Sequence, residues 1–86
     1  MPNTDNLIQI VREVCEEISR ARTLFPPFRS AHEGYAVLLE EVDELWQQVK
    51  FRQSRERDVA MRKEAIQVAA MAICFIHESC PEDAKP

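Results

Sequence analysis

Ile66-Gln67-Val68-Ala69-Ala70-Met71-Ala72-Ile73-Cys74-Phe75-Ile76 decides the fold. Every residue in it but Gln67 is apolar, and it contains no Gly or Pro. As a helix it turns 100° per residue, which puts Val68, Met71 and Phe75 on one side and Ala69, Ala70, Ile73 and Ile76 on others. The run is too short for a bilayer, which takes about 20 residues. A helix apolar on every side must be covered on every side, and Ala65, Ala69, Ala70 and Ala72 allow neighbours to approach closely. Two other helices of the length this chain offers do not complete that cover. The pattern therefore predicts a homo-oligomer, most simply a two-fold dimer with this helix near the interface.

Working outward, this helix is predicted over 58–78, ending before Pro81. A polar turn precedes it, in a stretch dense in positive charge: Lys50, Arg52, Arg55, Arg57, Arg62 and Lys63. The tail 81–86 is predicted to be disordered. Upstream, Ser30-Ala31-His32-Glu33 has the form of a capping box and opens a helix over 31–51. Tyr35, Leu38, Leu39, Val42, Leu45, Trp46 and Val49 share one broad arc of it and read as core, while Glu33, Glu40 and Glu44 face the other way. A first helix over 5–22 carries Leu7, Ile10, Val11, Val14 and Ile18 at three-four spacing, with Asn3 or Thr4 as its N-cap. Pro26-Pro27 stops it, and Leu24, Phe25 and Phe28 around that stop are expected to pack on the core. The fold class is all-α: one domain over 1–86, a small antiparallel bundle of about three helices completed by homo-oligomerisation.

Composition sets the outer bounds. The chain has 86 residues, 45% hydrophobic and 30% charged, with a single Gly. That describes a globular helical chain with a marginal core. The formal net charge of -4 argues against binding nucleic-acid polymers, which needs a basic face. A small anionic ligand remains compatible, because a metal can bridge acidic side chains to phosphates. Three cysteines, Cys15, Cys74 and Cys80, show no Cys-x-x-Cys spacing, and the N-terminus has no signal-like pattern; the expectation is a reduced, cytoplasmic chain. Cys15 and Cys74 read as small core residues.

The chemistry-bearing feature is acidic. Glu40, Glu41, Asp43 and Glu44 crowd together with no Lys or Arg at a compensating i+4 position, and like charges so placed repel. Glu64 shares its helix face with Val68, Met71 and Phe75, where a carboxylate is costly without a cation or metal. Gln67, one turn on, adds an amide oxygen. Hard carboxylate oxygens suit Mg2+, which completes its shell with water and phosphate. The plain alternative is a solvated helix face with Glu64 near a helix N-terminus.

The segment His32 to Trp46, with Glu40-Glu41-x-x-Glu44, followed by Lys63 to Ala72, with Glu64-x-x-Gln67, resembles the MazG-like all-α nucleoside triphosphate pyrophosphohydrolases. That superfamily carries Glu-Glu-x-x-Glu on one helix and Glu-x-x-Asp on a later antiparallel one. The first motif is matched completely; in the second Glu64 matches and Gln67 replaces the aspartate. The resemblance implies a homodimer or higher oligomer, dependence on Mg2+ (or Mn2+), and cleavage of a nucleoside triphosphate between the α- and β-phosphates to a monophosphate and pyrophosphate. Glu41, Glu44 and Glu64 would hold metal, with Gln67 a weaker ligand. Glu40 and Glu41 would serve catalysis by orienting a water, and Lys50 and Lys63 would contact substrate phosphates. Two other functions fit the departure at Gln67: a catalytically weak nucleotide- or metal-binding regulator, and a helical oligomerisation module.

Overall fold

The computed structural model describes residues 3–86, which form three helices: α1 (Thr4–Leu24), α2 (Ala31–Val49) and α3 (Arg55–Ser79). No strand occurs among the described residues. Each helix opens on a side-chain cap. The Asn3 carboxamide accepts from the backbone N–H of Asp5 and Asn6 at 2.9 and 3.3 Å. Ser30 accepts from Glu33 N–H at 3.1 Å, but only half of the capping box forms. The Glu33 carboxylate reaches one residue further back and takes the Arg29 N–H (3.1 Å) and guanidinium (3.0 Å) instead.

α3 begins three residues before its predicted start, because Ser54 caps it by accepting from Arg57 N–H at 3.0 Å. Glu56 and Asp58 in that first turn suit the positive end of the dipole. The basic residues assigned to a turn are thus partly helical. Arg57 folds back to donate to Val49 O and Phe51 O at 3.4 and 3.2 Å, satisfying carbonyls at the end of α2.

The helices run up, down, up. Gly34 of α2 meets Phe75 near the end of α3, whereas Leu45 lies beside Met61 and Ala65 near its beginning. α1 runs with α3: Glu13 pairs with Arg62 at 2.5 Å, and Arg22 pairs with Glu78 at 2.5 and 2.6 Å. α3 is the central helix and packs on both others, while among the described residues the backbones of α1 and α2 do not come within 8 Å of each other, Cα to Cα. The core is correspondingly thin: Val14, Ala21, Ala70, Met71 and Cys74 are buried, with Ile10, Ile18, Phe28, Val37, Leu38, Ile66 and Ala69 around them.

Several residues read as core are exposed. Cys15 lies one step off the buried stripe of α1 that contains Val14, and Leu7 and Val11 flank that stripe where α2 does not reach. Leu24 and Phe25 also stand in solvent, and of that connection only Phe28 packs inward, under the Arg22 guanidinium at 4.7 Å. Tyr35 and Trp46, at 61% and 55% exposure, lie on the side of α2 turned away from α3. Ile73 and Ile76 of α3 remain uncovered too, so the chain alone does not close over its central helix. Among the described residues no helix is long and apolar enough to cross a membrane.

Gly34, the single glycine, is where α2 comes closest to its neighbours. A Cβ there would lie 2.8 Å from the Phe75 ring and 2.9 Å from the Phe28 ring. Gly34→Ala gains helix propensity but forces two packed rings apart, a cost of about 1–3 kcal/mol against a gain of about 1 kcal/mol. The expected result is a lower thermal midpoint by circular dichroism; an unchanged or higher midpoint would show that the rings yield freely.

Candidate metal centre

Matching heptad stripes on α2 and α3 explain how half-buried carboxylates come to lie where the two helices meet. Gly34, Leu38, Glu41 and Leu45 follow four-three-four spacing along the face turned to α3, and Glu64, Val68, Met71 and Phe75 do the same on α3. Glu41 and Glu64 thus occupy positions that packing would give to apolar residues. Glu44 sits one turn from Glu41 at the edge of the same face.

The three carboxylates converge. Glu41, Glu44 and Glu64 each bring one oxygen to within 4.8 Å of the others. Among the described residues no ion pair reaches any of them, nor Glu40 or Asp43. Crowding of like charge in a partly desolvated place favours the neutral acid. Burial, then the neighbouring Glu44, then Glu64 and Glu17, push Glu41 up to about 7. Glu64 is raised by burial and by Glu44, opposed by the Lys63 ammonium.

Gln67 lies between the two half-buried members. With its amide nitrogen turned toward them it donates to Glu64 Oε2 at 2.9 Å and Glu41 Oε2 at 3.0 Å. It therefore holds the two carboxylates together as a neutral donor. Turned end over end, the same amide offers an oxygen at the same place. Three carboxylates and an amide oxygen form an all-oxygen set of the kind that suits Mg2+ or Mn2+.

A cleft of ≈ 410 Å³ opens beside this cluster, between α1 and α2 with α3 as its floor. Glu40, Glu41, Glu17 and Gln67 line one part of it, and Phe25, Pro26, Phe28, Val37 and Met71 another. Glu40 is exposed on its wall. Lys63 is exposed and lines a second concavity behind Gln67, shared with Arg20 and Glu17. Lys50 is not brought to the cleft; it follows the end of α2, 6.0 Å from the Trp46 ring centre.

Sequence reasoning missed two polar residues of α1 here. Glu17 and Arg20 border the acidic cluster, paired through two hydrogen bonds of 2.9 and 2.6 Å. Their i,i+3 spacing looks like an ordinary solvated pair, and only the docking of α1 on α3 brings them to the site.

No family model, no curated protein and no solved structure matches the chain. The functional reading therefore rests on the residues themselves.

Proposed function

We propose that the chain is a Mg2+- or Mn2+-dependent nucleoside triphosphate pyrophosphohydrolase of the MazG-like kind. The observation that carries this reading is the convergence of Glu41, Glu44 and Glu64, from two helices, with no basic side chain among the described residues paired to any of them. A purely solvated acidic face would have no reason to place Glu41 and Glu64 on the packed stripes. Glu41, Glu44 and Glu64 would hold the cation, which supplies charge neutralisation and polarisation of the phosphates. Glu40, exposed in the cleft wall, would accept a proton from a water and orient it toward the α-phosphorus.

One observation favours a second reading, a nucleotide- or metal-binding regulator with weak turnover. Gln67 carries no charge and already bonds Glu41 and Glu64, so cation binding has to break those bonds and gains no fourth carboxylate.

The deciding measurement is pyrophosphate release from a panel of nucleoside triphosphates, with Mg2+, Mn2+ or chelator, alongside metal-induced thermal stabilisation. Turnover that requires the metal supports the enzyme. Stabilisation without turnover supports the regulator, and then Gln67→Asp should tighten Mn2+ about tenfold or more, as expected when a ligand charge is restored. Neither turnover nor stabilisation would leave a helical oligomerisation module.

The reading includes association. The uncovered apolar positions of α2, together with Ile73 and Ile76, support a homodimer.

A further inference from the structure

We propose that the cleft between α1 and α2 is a nucleobase site in which the base lies against Phe25 while Arg20 takes the phosphates. This assignment rests on the nucleotide reading above and adds the residues that would recognise each end of the ligand. The cleft has two chemically distinct ends that share one space. Glu41 and Gln67 belong both to the carboxylate cluster and to the cleft lining, so a ligand held at the cluster extends into the cleft. Its other end is apolar and carries two aromatic rings. At ≈ 410 Å³ it falls within the roughly 300–1,000 Å³ typical of small-molecule sites.

Phe25 is the exposed aromatic ring of this lining. It is 62% exposed, although it faces a cleft floored by Met71 and Phe28. Its backbone is held: Phe25 N–H donates to Ala21 O at 2.8 Å, and Pro26 fixes the next φ. The far side of the connection is anchored to α3, since Glu78 accepts from both Arg22 and the Phe28 N–H at 3.0 Å. A ring carried on an anchored backbone and open to solvent gives a base a stacking surface with only the ring's own two torsions left to order.

Of the two arginines that line this cleft, Arg20 is the one available to phosphates, while Lys63 lies in the neighbouring concavity. Arg22 is excluded, because its guanidinium is committed to Glu78 and stacked on Phe28. Lys50 is outside the cleft. Arg20 is about half exposed and held bidentately by Glu17 beside Glu41. A phosphate offers the same bidentate acceptor geometry with more charge, so it competes with Glu17 for the guanidinium.

The test separates the two ends of the ligand by calorimetric titration in Mn2+. The probes are the α,β-imido analogues of dATP, dCTP, dGTP and dTTP, which cannot be cleaved at that bond, and inorganic tripolyphosphate. Phe25→Ala should weaken the tightest analogue about tenfold or more, the usual cost of a lost base stack, and leave tripolyphosphate within about twofold. Phe25→Leu, which keeps apolar bulk and so guards against a folding defect, should weaken the analogue in the same sense. Arg20→Gln should weaken analogue and tripolyphosphate alike. Unchanged analogue affinity in both Phe25 variants, or equal loss for analogue and tripolyphosphate, overturns the proposal. Wild-type protein that binds tripolyphosphate as tightly as any analogue also overturns it while leaving the metal–phosphate reading intact. Wild-type protein that binds neither defeats the nucleotide reading and this inference with it.

Discussion

Glu41→Gln is expected to abolish Mg2+-dependent pyrophosphate release while making the metal-free protein more stable at pH 8. Both halves follow from one placement. Glu41 occupies a position on the α2 stripe that faces α3, within 4.8 Å of Glu44 and Glu64. Replacing its carboxylate by an amide removes a ligand charge, and the loss should exceed the ~10–100-fold typical of disturbed outer-shell partners. The stability half has the opposite sign. Burial and the neighbouring Glu44 and Glu64 push Glu41 up to about 7 in the fold, against 4.5 for an ordinary carboxyl. Between those values the folded state binds more protons than the unfolded chain, so stability falls as pH rises. The penalty is complete only above about 7.

After allowance for solvent screening the effect is on the order of 1–2 kcal/mol, and ~4–8 °C accompanies each kcal/mol in a domain of this size. Metal-free wild type should therefore lose thermal midpoint between pH 5 and pH 8, and Glu41→Gln should flatten that slope. Added Mg2+ should restore wild type at pH 8 and do little for the variant. Full activity in Glu41→Gln would remove the residue from the site. A flat wild-type profile would mean that the carboxylates do not crowd in solution.

The same residue shows what was legible in the sequence. Spacing places Glu41 between the apolar arc of α2 and its acidic face, and the resemblance alone pairs it and Glu44 with Glu64 on an antiparallel helix; that Glu41 stands on the stripe packed against α3, within reach of both, comes only with the fold. The start of α3 was hidden because Ser54 lacks a Glu or Gln three residues later; the residue there is Arg57, which serves the end of α2 instead. The donor role of Gln67 was hidden as well, since an amide offers either end and only its neighbours select one. Glu17, Arg20 and Phe25 could not be read from local pattern at all. They enter the cleft through the tertiary docking of α1, which the ion pairs Arg22–Glu78 and Glu13–Arg62 fix at a distance in sequence.

The second large effect concerns the face of α2 that no helix of this chain covers. Tyr35, Leu39, Val42, Trp46 and Val49 are spaced four-three-four-three, a second heptad stripe one residue out of phase with the first. Their exposures, from 39% to 61%, run the length of the helix. The stripe contains no charge, whereas Glu40 and Glu44 lie on the opposite side of α2. A seam of this period fits a second helix of the same period, and a second copy of α2 across a two-fold axis supplies one.

The wild-type protein is accordingly expected to have twice the 10.0 kDa chain mass by light scattering. Val42→Glu places a carboxylate at the middle of the seam, opposite its own copy across the axis. An unpaired buried charge costs about 3–5 kcal/mol, enough to shift the dimer constant by more than a hundredfold, so this variant should be monomeric and melt at a lower temperature. Gln47→Glu adds the same charge one residue outside the next seam position, Trp46, and should leave the mass unchanged. Trp46 emission should shift to shorter wavelength as wild-type concentration rises and stay constant in Val42→Glu. A wild-type chain that remains monomeric at high micromolar concentration would contradict the seam. Equal dissociation by Val42→Glu and Gln47→Glu would instead assign the effect to net charge rather than to the apolar stripe.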